Sequence, residues 1–183
     1  MKFGPLLVML YISLFHVPIN ISAQLEWKKF SPQGQPFVVS VPGEMKNGEK
    51  KILTEVGDLH PITWMYQGTK DDANFIYSVS YVDYPGDTFH KDSIDLVDEF
   101  FEASIESNIK SLGGTLVYKS ESPYGQYQGV IYRASYNDNG AVIKSRMILV
   151  KDRFYALQVY TLSEKSLNPE MDKFLNSFRL VKD

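Results

Sequence analysis

The sequence predicts an α+β domain built on a central antiparallel β-sheet flanked by two helices. Three observations carry that expectation. Short runs of β-branched and aromatic residues recur along the chain and are joined by hairpin turn chemistry. Two other segments switch to the 3.6-residue period of amphipathic helices. Finally, the strand runs carry apolar residues on both faces, which suits at least partial helical cover on each side of the sheet, with a one-sided layer as the alternative.

The elements follow in order. Residues 27–30 begin an extended segment, and Ser31-Pro32-Gln33-Gly34-Gln35-Pro36 is loop chemistry. Phe37-Val38-Val39-Ser40-Val41 is a β-branched strand stopped by Pro42-Gly43. Lys51-Ile52-Leu53-Thr54-Glu55-Val56, residues 62–66 and residues 75–82 read as three further strands, the last two joined by the polar stretch 68–72. The period then changes: Ile94, Val97, Phe101, Ile105, Ile109 and Leu112 form one helical stripe. Asp92 or Ser93 suits its N-cap, and Gly113-Gly114 supplies the left-handed stop. Asp98, Glu99, Glu102 and Glu106 make the outer face of that helix acidic, as a solvated face would be.

A second β run covers residues 116–119, 129–136, 141–150 and 154–161. Asn139-Gly140 is the strongest hairpin signal in the chain, because both residues tolerate positive φ. Asn168-Pro169-Glu170 opens a last helix with an N-cap, a proline at the first turn and an acid at the positive dipole end. Met171, Phe174, Leu175 and Phe178 give it an apolar face, and Leu180-Val181 reads as a short end strand.

Composition narrows the function. At 183 residues, 44% of them hydrophobic, the chain is sized for one globular domain. A net charge of -3 argues against nucleic acid as a partner, since no cationic field is available to hold phosphates. With no cysteine there is no disulfide framework, thiolate metal site or cysteine nucleophile. The start of the chain reads as an export signal, residues 1–23. Lys2 precedes an apolar run over residues 6–17, and Ile21-Ser22-Ala23 fits a cleavage site. That run is short of the roughly 20 residues a membrane span needs. The expectation is a single domain, residues 24–183, with no transmembrane segment, periplasmic or extracellular after cleavage following Ala23.

Candidate chemistry is sparse. His60 and His90, with Asp58, Asp87 or Asp92, have the side chains of a Zn²⁺ or Mn²⁺ site but not the spacing. No Gly-x-Ser-x-Gly elbow is present. Asn137-Asp138-Asn139-Gly140 begins like a Ca²⁺ loop, but the twelfth position is Ile148 rather than an acid. No catalytic residue, metal or cofactor is therefore expected. The remaining interest lies in Tyr132, Arg133, Lys144 and Arg146, which fall on adjacent strands. Aromatic bodies and cations there would frame a ligand pocket on a concave, partly apolar surface.

The order of elements resembles the PsbP-like fold, an α/β/α sandwich shared by PsbP-type extrinsic proteins and bacterial envelope proteins of the DcrB and LpqN type. The likeness spans residues 25–181. Its specific echoes are Trp27, Phe30, Phe37 and Pro42, then Tyr77-Ser78-Val79-Ser80-Tyr81 before the long helix and Gly113-Gly114 after it. Residues 146–159 (RMILVKDRFYALQV) and 174–180 (FLNSFRL) are the most signature-like. The resemblance implies no enzyme activity, and photosystem attachment does not carry over, because the leader is a plain export signal. The expected function is that of an exported, non-enzymatic binding or accessory protein of the cell envelope. Its expected partner is an envelope protein or a small amphiphilic ligand. The alternative is a hydrolase or metal-dependent enzyme using His60 or His90.

Overall fold

The computed structural model describes residues 26–49, 52–54, 57–86, 88–89 and 94–181. The leader and its cleavage site, His90 and the capping candidates Asp92 and Ser93 lie outside them.

Within the described residues the chain forms β1 (Lys28–Phe30), β2 (Phe37–Val41), β3 (Lys46–Glu49), β4 (Ile52–Thr54), β5 (Gly57–Leu59), β6 (Ile62–Gln67) and β7 (Ile76–Asp83). Helix α1 (Ile94–Leu112) follows, then β8 (Thr115–Glu121), β9 (Gly129–Tyr136), β10 (Ala141–Val150) and β11 (Arg153–Leu162). Helix α2 (Pro169–Leu175) and β12 (Arg179–Leu180) close the order. The main sheet has seven strands in the order β3-β6-β7-β11-β10-β9-β8, all neighbours antiparallel. A smaller sheet, β1-β2-β12, packs with α2 over one of its faces, and α1 covers part of the other. The fold class and the two helices are as the sequence predicts.

Strand alternation divides the residues into two cores. On β7 and β11, Tyr77, Val79, Tyr81, Tyr155, Leu157 and Val159 point toward α2 and the small sheet. There they meet Phe37, Phe174 and Phe178, all three fully buried. Phe178 packs against Phe37, Tyr124 and Tyr155 at ring distances of 5.1–5.9 Å, the range in which aromatic pairs add to simple burial. On the opposite face Val130, Tyr132, Ala134, Ile143 and Met147 meet Val97, Phe101 and Ile105 of α1. The helical stripe therefore points inward.

Helix ends and turns account for the chain reversals. At the end of α1, Gly113 takes φ +60 and its N–H donates to Lys110 O, while Gly114 N–H donates to Ile109 O. This pair of bonds is a Schellman stop, satisfying carbonyls that the helix cannot. Asn168 caps α2 by accepting from Met171 N–H and exchanges amide hydrogen bonds with the buried Asn74 at 2.9 and 3.0 Å. Asn74 also donates to Tyr77 Oη, and Tyr77 donates to Glu170.

Three local features differ from the expectation. The β9–β10 hairpin is present, but its positive φ values fall at Asn137, Asp138 and Asn139 rather than at Gly140, which donates to Asn137 O. Asn and Asp tolerate the left-handed region well enough to carry a four-residue turn without glycine there. The strand expected over residues 51–56 is in part β4, which folds back on β5. Strand β3 was not expected, because Lys46-Asn47-Gly48-Glu49 has turn composition; pairing with β6 makes it an edge strand.

Candidate functional site

The two faces of the sheet are covered unequally. Helix α1 lies over β9, and its apolar stripe is used up against β9 and β10. Beside that stripe runs a second one, Phe100, Ser104, Ser107 and Ser111, spaced four, three and four residues apart. This flank, with Ala103 and Asn108, forms one wall of an open groove of about 660 Å³. The floor is Ser80 of β7, Met147 of β10, and Phe154, Ala156 and Gln158 of β11. Small side chains on β7 and β11 create the depression: Ser80 and Ala156 sit directly opposite each other in the ladder. No charged residue lines the groove.

The groove is chemically graded. One end is apolar, where Phe100 and Phe154 meet edge to face at 5.1 Å and Met147 lies alongside them in the lining. The other end carries hydroxyls and carboxamides. Beneath it a polar row crosses four strands in register: Ser78 on β7, Gln158 on β11, Ser145 on β10 and Tyr132 on β9. The Tyr132 hydroxyl donates to Asn108 Oδ1 at 2.8 Å, and the Tyr160 hydroxyl donates to Gln158 Oε1 at 3.2 Å. Both amide oxygens are thus occupied, and the Asn108 side chain also bonds the Tyr160 hydroxyl and the Gln158 side chain the Tyr132 hydroxyl, so the row is paired within itself. Ser145 Oγ, fully buried in this row, lies beside the Tyr132 hydroxyl and bonds with it. Burial pushes the Tyr132 and Tyr160 phenols up to about 12, so both remain neutral donors at physiological pH.

The four residues singled out from the sequence do not meet at one site. Tyr132 faces α1, whereas Arg133, Lys144 and Arg146 face α2, because adjacent residues on a strand point to opposite sides. Arg133 donates to Ser166, just before α2, and Lys144 pairs with Asp172 of α2 at 2.6 Å. Arg146, 9% exposed, donates to Leu175 O at the C-terminal end of α2 and to Pro123 O. Burial, and then the neighbouring Arg179, hold its guanidinium below the usual arginine value. These three cations hold α2 onto the sheet. His60 stands exposed between β5 and β6, and among the described residues no three His, Asp or Glu side chains gather as a metal site.

Sequence reasoning missed Ser80, Ser104, Ser107, Asn108, Ser111 and Gln158. Two signals mark them in retrospect: the uncharged stripe on an otherwise acidic helix, and the large–small alternation of Tyr77-Ser78-Val79-Ser80-Tyr81.

No protein-family model matches the chain, and no curated protein matches it in sequence. Among solved structures it is similar to the cyanobacterial PsbP protein, CyanoP, of Synechocystis sp. PCC 6803. The TM-score is 0.56 and the identity 14%, over 97% of this chain and 99% of that one. The fold is PsbP-like. A protein of unknown function from Pseudomonas aeruginosa, PA94, aligns over 76% of this chain and 85% of its own at 9% identity, with a TM-score of 0.37. Among the described residues no helix is long and apolar enough to cross a membrane.

Proposed function

We propose that this chain is an exported, non-catalytic binding or accessory protein of the cell envelope, of the DcrB and LpqN type, whose working surface is the groove beside α1. The observation that carries this reading is the groove's lining: aromatic and thioether groups at one end, hydroxyls and amides at the other, and no charge between. Such a surface suits a small uncharged amphiphile, with its apolar part against Phe100 and Phe154 and its hydroxyls or amides among the serines. A charged headgroup would find no counter-charge there and would lose hydration on entry. Export is supported by the leader composition, and the envelope assignment by residues 146–159 and 174–180 of the sequence.

The test uses octyl glucoside below its micelle concentration as an uncharged probe, followed by amide chemical shifts of the mature protein. Shifts confined to α1 and the facing residues of β7 and β11 support the reading. Shifts centred on the exposed Leu167 or Val181, or saturable binding only by a charged alkyl sulfate, overturn it.

A further inference from the structure

The two edges of the main sheet are built differently. Edge strand β3 has four residues and no apolar side chain. Edge strand β8 has seven, all exposed, and among the described residues it pairs only with β9. It presents Leu116, Val117 and Tyr118 at 43%, 57% and 38% exposure. An edge about 23 Å long with exposed apolar side chains is a template for another strand.

The backbone groups available can be identified. Ser122 N–H donates to Gly129 O, and Ser122 stands opposite Gly129 one step beyond the pair Glu121–Val130. By antiparallel alternation Ser120 and Tyr118 therefore bond inward, while Lys119 and Glu121 turn N–H and C=O outward.

The charge beside this edge is mainly acidic, with Lys119 on the strand and Lys110 at the end of the helix as the cations among it. Asp98, Glu102 and Glu106 follow one another at four-residue intervals on α1, one above the other. Glu102 reaches Lys119 of β8, and Asp98 shares a small cavity of about 190 Å³ with Glu121 and Gln128. Gln128 Oε1 is buried without a hydrogen-bond donor. The cavity thus offers two carboxylates and an unused acceptor. We propose that β8 is an acceptor edge that takes up an extended segment of a partner protein, one with lysine or arginine alternating with apolar residues. Added as an eighth strand, the segment places its cations toward Asp98, Glu102, Glu106 and Glu121 and its apolar residues on the opposite face, beside Tyr118. A second copy of this chain fits worse. Antiparallel edge-to-edge pairing about a two-fold axis sets both α1 helices on one face, acid against acid.

The test titrates the mature protein with a blocked octapeptide of alternating lysine and valine, and with its glutamate–valine counterpart, following amide shifts and hydrogen exchange. The expected result is new exchange protection at Lys119 and Glu121, binding that weakens with added salt, and no binding of the acidic peptide. Lys119→Pro removes an outward N–H while leaving the β9 ladder intact, and is expected to abolish binding although it removes a competing cation. Lys119→Ala should bind as well as the native protein or better, and Glu106→Gln about threefold more weakly. Unchanged thermal melting confirms that each variant folds. Equal binding of both peptides, no protection in β8, or a dimer with β8 protected in the absence of peptide would overturn the proposal.

Discussion

The face of the sheet toward α2 and the face toward α1 are made from the same strands and do different work. On β7 and β11 the α2 face carries Tyr77, Val79, Tyr155 and Leu157, at most 1% exposed. The α1 face of the same strands carries Ser78, Ser80, Ala156 and Gln158. The first is filled by aromatic rings from α2 and the small sheet, with the polar Asn74 satisfied on both sides. The second leaves an uncharged depression beside a helix. The α2 face of β7 and β11 is thus closed by packing, whereas the α1 face packs against its helix over β9 and β10 and stays open over β7 and β11, where surface changes cost little.

The largest expected effect falls on the α2 face. Phe178→Ala removes a fully buried ring that touches Phe37, Tyr124 and Tyr155, and is expected to cost about 3–5 kcal/mol in denaturant unfolding. A loss below 1 kcal/mol would break the contrast between the faces.

Alkaline pH probes the pocket beneath α1. The folded state keeps the Tyr132 proton to about 12, whereas the unfolded chain releases it near 10.0. Stability is therefore complete below pH 10 and falls as pH rises through 12, by about 2–3 kcal/mol from Tyr132 alone. Ultraviolet titration should resolve Tyr132 and Tyr160 ionising before Tyr77, which burial, chiefly, holds higher still.

The polar latch comes next. Asn168→Ala deletes the α2 cap and leaves the fully buried Asn74 without its amide partner. A loss of about 2 kcal/mol is expected in thermal or denaturant unfolding. The smallest effect belongs to the groove wall: Ser107→Ala should shift stability by no more than about 0.5 kcal/mol.

The architecture was legible because each element follows a strong local rule. The stripe from Val97 to Leu112 has no strand reading, and Gly113-Gly114 can only end the helix. Strand β3 escaped notice because pairing, not propensity, makes Lys46-Asn47-Gly48-Glu49 extended. The cluster of Tyr132, Arg133, Lys144 and Arg146 was legible as an unusual concentration of residue types, but not as belonging to two faces engaged with two different helices. The groove was hidden for another reason. Serine and alanine carry no chemical signature, and a depression arises only when their positions on three strands and a helix come together.

The central claim is that the groove beside α1 binds an uncharged amphiphile. Ser107→Trp tests it most directly, since an exposed position on the wall accepts the ring without disturbing the core while the ring fills the groove. Calorimetric titration with octyl glucoside should show at least a tenfold loss of affinity against the native chain, at an unchanged melting temperature. Equal affinity in the two proteins would contradict the account.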